Sequence, residues 1–348
     1  MNYKETLFFI GKCLTITHEE HNRILIEKEI KSDKVDWDNI VKLSTKHYVF
    51  PALYCNLKKA DFLHYLPEEL VSYMKHITDL NRKRNLQIIE QAKEINKLLL
   101  TNNIRPIFLK GTGNLLEGLY DDIAERMVSD IDILTKKVDC KRAFEILQND
   151  GYNHKNLELF QDHRHLPRLI NSNKMTAIEI HKELLIEKYA HEFNYSLIEK
   201  GVISTKKISC LSYENQLSLS IIANQINDDG QYFKTIALRN SYDVYLLSLK
   251  VNSLVSIKGF RKLFNPLNNY LALCKLTLNS NRIEFKETSK ASKNLIYFNK
   301  LLSRKKTANK RIRKQLFAKK RIEILFKSLY KKEYRTWLFI RLTKGRQH

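Results

Sequence analysis

Glycine and proline are scarce in this chain of 348 residues. There are 9 glycines and 5 prolines, about 4% of the residues, against roughly 12% in an average protein. Both residue types interrupt helices, so their scarcity favours a helix-rich protein. The sequence also has no internal repeat and no low-complexity linker.

The chain lacks two further features, closely spaced cysteines and long apolar runs. Its cysteines form no C-x-x-C pair, which is typical of buried thiols in a reducing compartment. No run approaches the roughly 18 apolar residues that a membrane-spanning helix needs, and the apolar patch 7–10 is too short for a signal peptide. The sequence therefore predicts a cytoplasmic protein without a transmembrane segment. The five cysteines are Cys13, Cys55, Cys140, Cys210 and Cys274.

Positive charge, by contrast, is abundant. The net charge is +23, which favours contact with nucleic acid, phosphorylated substrates or an anionic membrane surface. Residues 303–348 carry 17 of the Lys and Arg residues and only two Glu. This basic segment has three interpretations: it binds RNA, it lies on an anionic membrane, or it is a solvated helix face. The charge pattern alone does not choose among them.

The hydrophobic pattern divides the chain into helical and mixed parts. Apolar residues recur with helical spacing between Pro67 and Asn103, and 37–57 is a second helix candidate. Residues 104–182 read as β-α-β-α-β-β, and the chain is helical again from about residue 212. We predict an α+β fold, with a mixed-sheet core flanked by helical regions. The predicted parts are a helical region 1–103, a core 104–210, a helical region 211–302 and a basic helical tail 303–348.

The segment MVSDIDIL, residues 127–134, carries two acids on a predicted buried strand. Strand side chains alternate between faces, so Asp130 and Asp132 point the same way, with Cα atoms about 6.6 Å apart. Two carboxylates this close repel each other unless a cation lies between them. Oxygen ligands of this kind suit Mg²⁺. A surface strand with one polar face is the simpler alternative.

A third acid strengthens the case for a metal site. In MTAIEIH, residues 175–181, Glu179 lies on the face opposite the isoleucines. We expect this strand to form a hairpin with 166–170 and to lie beside the strand of Asp130 and Asp132. Three buried carboxylates need a counter-ion, so the sequence predicts a site for metal ions at Asp130, Asp132 and Glu179.

The segment Lys110-Gly111-Thr112-Gly113 follows a short apolar strand and precedes a helix. Backbone N–H groups at such a position can cradle a phosphate, and Thr112 offers a hydroxyl. A plain tight turn is the alternative, because the segment is neither a P-loop nor a dinucleotide-binding motif.

The order of these motifs resembles a known family. The segments FLKGTGNLLEGLYDDIAERMVSDIDIL and AIEIHKELL, followed by LRNSYDVYLL, look like the nucleotidyltransferases of the polymerase-beta superfamily. They are most similar to a bacterial family of uncharacterised nucleotidyltransferases. The resemblance covers residues 104–182 well. Gly111-Thr112 stands where the superfamily usually has Gly-Ser or Gly-Gly.

The resemblance implies a role for each matching residue. Asp130 and Asp132 would bind the metal ions, Mg²⁺ or else Mn²⁺, that hold the triphosphate of an NTP. Glu179 would complete the site and orient or deprotonate the acceptor hydroxyl. Gly111 and Thr112 would contact the β- and γ-phosphates.

Two cations near the acids are candidates from the sequence itself. Lys110 and Arg126 could neutralise phosphate charge. The alternatives are a solvated strand end for Lys110, and a salt bridge to Glu125 or Asp122 for Arg126. We also expect Arg239 and Asp243 to pair on one helix face, because they are four residues apart.

Histidines near the third acid have three interpretations. His181 shares the face of Glu179, and His165 is expected opposite it across the hairpin. The two rings could line the nucleotide or acceptor pocket, serve in ordinary polar packing, or bind zinc together with His163.

The sequence thus predicts a Mg²⁺-dependent nucleotidyltransferase. It would move a nucleoside monophosphate from an NTP to an unknown acceptor, which could be a small molecule, a peptide or RNA, and release pyrophosphate. The alternatives are a toxin-like enzyme that modifies tRNA and a non-catalytic nucleotide-binding protein of the same fold.

Overall fold

The computed structural model describes residues 1–154, 164–205 and 207–344. The N-terminal region is helical, as the sequence predicted. The long helix expected from Pro67 to Asn103 is α5, and Pro67 is the cap residue just before it rather than its first residue. The helices of this region are α1 Tyr3–Cys13, α2 Glu20–Lys31, α3 Trp37–Lys46, α4 Phe50–Lys59 and α5 Glu68–Thr101, with a 3₁₀ turn at Leu63–Tyr65.

The expectation of one helix across residues 37–57 is wrong, because the chain breaks between α3 and α4. Tyr48 has φ +57°, a left-handed conformation that an L-residue adopts rarely and that a continuing helix cannot contain. Pro51 then lies in the first turn of α4, where its missing N–H needs no partner. In the middle of one long helix, the same proline would remove a hydrogen bond.

A five-stranded mixed sheet forms the centre of the described residues, in the order β3-β2-β1-β5-β4. The β2–β3 and β1–β5 pairs are parallel, and the β1–β2 and β4–β5 pairs are antiparallel. The predicted α+β class is confirmed. The strands are β1 Ile107–Phe108, β2 Asp130–Leu134, β3 Ala177–His181, β4 Ile203–Thr205 and β5 Ile208–Cys210.

The predicted hairpin before β3 is present as isolated antiparallel bridges rather than a full strand. His165 pairs with His181 and Leu169 pairs with Ile178. Pro167 lies between these bridges and has no N–H to donate, which explains why the ladder is interrupted. Lys174 closes the turn by donating its backbone N–H to the Asn171 carbonyl at 3.1 Å.

Helices cover the sheet and form the rest of the chain. The segment 110–113, expected to be a turn, is instead the first turn of α6. The helices are α6 Lys110–Leu116, α7 Cys140–Asn149, α8 Tyr195–Ile198, α9 Tyr213–Ile222, α10 Gly230–Phe233, α11 Leu238–Ser248, α12 Ser253–Ile257, α13 Phe264–Leu278, α14 Ser289–Tyr330 and α15 Lys332–Lys344. There are 3₁₀ turns at Ile123–Glu125, Glu187–Glu192 and Glu199–Gly201, and a π turn at Ala223–Asn227.

Aliphatic side chains fix β2 and β3 in the core. Ile131 and Ile133 on β2, and Ile178 and Ile180 on β3, are each 0% exposed. Their alternation leaves the acidic residues of both strands on the opposite face of the sheet. The core therefore determines where those acids point.

The basic C-terminal segment is helical, and it begins inside a longer element. Helix α14 has 42 residues and runs through position 303, where the sequence suggested a boundary. Its apolar side chains do not all enter the core: Phe317, Ile322 and Phe326 are exposed. No helix within the described residues is both long and apolar enough to cross a bilayer.

Candidate active site

The pairing of β2 with β3 determines the geometry of the acidic cluster. In the parallel register, Asp132 lies directly opposite Glu179, and Asp130 lies opposite Ala177. The prediction that β3 brings Glu179 beside Asp132 is therefore confirmed.

Asp132 is the most strongly compensated of the three acids. Its Oδ1 accepts hydrogen bonds from Lys110 Nζ at 2.6 Å and from His181 Nε2 at 2.8 Å. Burial alone would raise the pKa of Asp132, but the charge of Lys110 and the hydrogen bond from His181 outweigh it and hold the pKa below its usual range. The carboxylate is therefore ionised at neutral pH.

Glu179 is half-buried and lies between two histidines. Its Oε2 is 3.8 Å from His181 Nε2 and 3.9 Å from His165 Nε2. Burial, and then the negative charge of Asp132, raise the pKa of Glu179. The rings of His165 and His181 are 5.4 Å apart, as expected from their positions across the hairpin; His163 lies outside the described residues.

Asp132, Glu179 and His181 form a group that could hold a metal ion. Each offers one ligand atom, and these atoms lie within 4.8 Å of one another. Burial lowers the pKa of His181 to about 4, so the imidazole is neutral at pH 7 and can act as a ligand. Its Nδ1 has no hydrogen-bond partner among the described residues.

Asp130 lies on the same face of β2 but is not part of this group. Its carboxylate contacts Arg168 on the segment that leads to β3. The sequence predicted Asp130, Asp132 and Glu179 as ligands for the metal ions, and it left His181 with three interpretations: pocket lining, polar packing or zinc binding. The structure brings His181 into contact with the acids, and a metal-binding role for Asp130 stays a prediction.

Lys110 contacts Asp132 from an unusual backbone conformation. It has φ +52° at the start of α6, and a left-handed conformation of this kind costs a non-glycine residue about 1–3 kcal/mol. The Leu109 N–H donates to the Asp132 carbonyl at 3.0 Å and thereby ties the end of β1 to β2. The alternative of a solvated strand end for Lys110 does not hold, because its ammonium is paired with Asp132.

Gly111 and Thr112 face different parts of the site. Gly111 lines the cavity, and a Cβ there would be 3.3 Å from Arg126 Cζ. Thr112 is buried, and its hydroxyl donates to the Asp130 carbonyl at 3.1 Å. The structure thus shows Thr112 holding the start of β2; its predicted contact with phosphate stays a prediction.

Arg126 is buried and forms an ion pair that the sequence did not suggest. Its Nε and Nη2 lie 3.1 and 3.0 Å from Asp243 Oδ2 on α11. Asp243 also accepts a hydrogen bond from the Tyr120 hydroxyl at 2.6 Å. The salt bridge to Glu125 or Asp122, considered as an alternative, is therefore not the one that forms.

The expected pairing of Arg239 with Asp243 is wrong for the same reason. Asp243 turns to Arg126, while Arg239 donates to the Met127 carbonyl at 3.4 Å and lies 5.0 Å from the Tyr48 ring centroid. Arg239 nevertheless lines the cavity together with Arg126. Both guanidinium groups therefore lie at the same cavity.

Helix α5 holds the segment that carries Arg126. The side-chain amide of Asn81 donates to the Ala124 carbonyl at 2.7 Å, and that of Asn85 donates to the Arg126 carbonyl at 2.7 Å. Arg84 contacts the Val128 carbonyl. These contacts link the predicted N-terminal helical region directly to the segment that precedes β2.

The cavity also contains residues that the sequence analysis missed. Arg164 and Asp228 line it. Burial raises the pKa of Asp228, while the charges of Arg164 and Lys110 oppose this. Asp228 follows α9 through the π turn, and no pattern in the sequence connects it with residues 110–181.

Transfer of phosphoryl or nucleotidyl groups needs ligands for a metal ion and cations for phosphate charge, and the cavity is lined by acids and cations. A family model described as uncharacterised nucleotidyltransferase matches residues 33–279, more than two thirds of the chain. The chain belongs to this family. No curated protein and no solved structure gives a significant match.

Proposed function

We propose that this protein is a metal-dependent nucleotidyltransferase that transfers a nucleoside monophosphate from an NTP to an acceptor and releases pyrophosphate. The observation that carries the proposal is the position of Asp132 opposite Glu179, at a cavity that is also lined by Lys110, Arg126 and Arg239. Acids for a metal and cations for a triphosphate are both needed for this chemistry, and here they converge.

The donor groups fit a divalent cation. Asp132, Glu179 and His181 would hold it, with Asp130 nearby on the same face of β2. We propose Mg²⁺ or Mn²⁺, because carboxylate oxygens suit both, and an imidazole ligand favours Mn²⁺ over Mg²⁺. Such an ion supplies polarisation of the phosphoryl oxygens and neutralises their developing charge.

The residues of the chain can be assigned to the parts of the reaction. The acceptor oxygen attacks the α-phosphorus, a new P–O bond forms, and the bond from the α-phosphorus to the bridging oxygen breaks. Pyrophosphate leaves with the electron pair. Glu179 orients the acceptor hydroxyl or takes its proton, while Lys110 and Arg126 stabilise the phosphate charge.

Among the candidate acceptors, RNA is favoured by the position of the basic helix α14 near the cavity. Helix α14 packs against the segment that lines the cavity: Lys320 Nζ is 2.7 Å from Asp229, next to Asp228. Lys310, Arg311, Arg313 and Lys314 on the same helix are exposed. A polyanion bound along α14 would pass close to the cavity, and this supports the alternative of a tRNA-modifying enzyme.

Transfer of label tests the proposal. Purified protein would be incubated with NTPs labelled at the α-phosphate, with Mg²⁺ or Mn²⁺, and with RNA or protein-free small-molecule fractions. We expect Asp132→Asn and Glu179→Gln to lose at least about 100-fold in rate. The exposed Asp38→Asn is the matched control and should retain the activity of the wild type.

Each outcome decides between the candidates. Equal transfer by the wild type and Asp132→Asn contradicts the catalytic assignment. Binding of NTP without transfer to any fraction favours the non-catalytic alternative. Label in the small-molecule fraction but not in RNA overturns the RNA acceptor and leaves nucleotidyl transfer standing.

A further inference from the structure

A second cavity, of about 330 Å³, lies beside the segment that carries Arg126. Consecutive residues serve the two cavities: Glu125 and Tyr242 line the second one, while Arg126 and Asp243 line the candidate active site. The proposed transfer reaction uses no residue of the second cavity.

The floor of this second cavity is a chain of ordered hydrogen bonds. The Thr17 hydroxyl donates to Asn56 Oδ1 at 3.1 Å, and Asn56 Nδ2 donates to the Tyr242 hydroxyl at 3.0 Å. Tyr242 in turn donates to Glu125 Oε2 at 2.7 Å. Glu125 is 7% exposed, and its Oε1 accepts the Asp122 backbone N–H at 3.3 Å. Two carboxyl oxygens have about four lone-pair sites, so the group can still accept from a further donor.

The rim, in contrast, is basic. Lys59, Lys250 and Arg282 line it together with His18. Lys59 is paired with Asp121, whereas Lys250 and Arg282 have no carboxylate within 4 Å in the part of the chain that the structure describes. Burial lowers the pKa of His18, and the positive charge of Lys59 lowers it further.

We propose that the second cavity binds a small phosphorylated polyol, with the phosphate at Lys250 and Arg282 and the hydroxyl groups on the floor formed by Thr17, Asn56 and Glu125. Two unpaired cations at a cavity mouth suit a dianionic oxyanion. A buried carboxyl beside an amide and a hydroxyl suits sugar-like hydroxyl groups, since these can both donate and accept.

Calorimetric titration of the full-length protein at constant ionic strength tests the site. The probes are glycerol 3-phosphate and inorganic phosphate. We expect saturable binding of glycerol 3-phosphate by the wild type, weakened about tenfold or more in Lys250→Ala/Arg282→Ala. Lys290→Ala/Lys293→Ala removes two exposed cations of α14 with the same change in net charge, and should bind like the wild type.

The same titrations contain the results that overturn the proposal. Absence of saturable binding by the wild type does so, and so does equal affinity of the wild type and Lys250→Ala/Arg282→Ala. The floor is tested by Thr17→Val, which should reduce the preference for glycerol 3-phosphate over inorganic phosphate. If the wild type binds the two probes equally, the assignment of the floor to hydroxyl groups is wrong.

Discussion

The ammonium group of Lys110 and the carboxylate of Asp132 form an ion pair of 2.6 Å at the centre of the acidic cluster. The same Asp132 oxygen accepts the hydrogen bond from His181. The negative charge of Asp132 is thus neutralised by Lys110. A metal ion that binds this carboxylate must therefore compete with Lys110. This competition makes the effect of substitutions at Lys110 depend on metal.

Lys110→Met should show this dependence directly. Without metal we expect the free energy of unfolding to fall by about 2 kcal/mol, because the charge of Asp132 loses a hydrogen-bonded cation. Mn²⁺ should restore much of this loss and should bind the variant more tightly than the wild type. Urea unfolding with and without Mn²⁺ measures both effects.

Lys136→Met is the control for Lys110→Met. Lys136 is exposed, and its ion pair with Glu199, at 3.7 Å, is longer than the pair of Lys110 with Asp132. It should respond to Mn²⁺ like the wild type. If Lys110→Met loses the same stability with and without Mn²⁺, then the ion does not bind at Asp132.

Asp243→Asn tests the buried ion pair with Arg126. The substitution keeps the shape of the side chain but leaves a buried guanidinium without a counter-charge, which destabilises by about 3–5 kcal/mol. The double variant Arg126→Met/Asp243→Leu removes both charges and should recover much of that loss. Glu27→Gln, in the exposed pair with Lys31, should have little effect. A loss for Asp243→Asn no larger than that of Glu27→Gln would contradict the burial of the pair.

Glu125 should make stability depend on pH. Burial raises the pKa of Glu125 to about 7, while the unfolded chain keeps an ordinary carboxyl pKa near 4.3. Between these values the folded state binds the extra proton, so its contribution to stability is complete below about pH 4.3 and is lost as pH rises through 7. The shift corresponds to about 4 kcal/mol.

Replacing Glu125 with Gln should therefore flatten this part of the pH profile. We expect Glu125→Gln to be more stable than the wild type at pH 8 and not at pH 4.5. Chemical unfolding at the two pH values measures the difference, and the exposed Glu69→Gln serves as control. A pH profile of Glu125→Gln parallel to that of the wild type would show that Glu125 is not the responsible group.

The parts of the site that could be predicted from the sequence are those set by local pattern. Alternation of isoleucines with acids fixes which way Asp132 and Glu179 point, and two such strands side by side bring the acids together. The partner of Arg126 could not be predicted in this way. Asp243 is 117 residues away, and no periodicity links a residue before β2 with one face of α11.

Unusual backbone conformations are a second feature of the structure that could not be predicted from the sequence. Lys110 and Tyr48 both adopt positive φ, although nothing in their residue types favours it. Tertiary contacts stabilise these conformations. Lys110 forms an ion pair with Asp132, and the ring of Tyr48 packs against the guanidinium of Arg239. The break before α4 and the reach of Lys110 into the site follow from packing that only the folded chain contains.

Gly113→Ala tests how closely α6 must approach β1. A Cβ at Gly113 would lie 2.7 Å from the Phe108 carbonyl oxygen, so the helix or the strand must move. We expect a loss of about 2 kcal/mol in the free energy of unfolding. Because α6 begins at Lys110, we also expect weaker nucleotide binding.

Gly259→Ala is the matched control, since nothing lies within 4 Å of a Cβ there. Thermal unfolding and nucleotide titration of both variants measure the effects, and equal behaviour of the two would show that the close approach of α6 to β1 does not constrain the site.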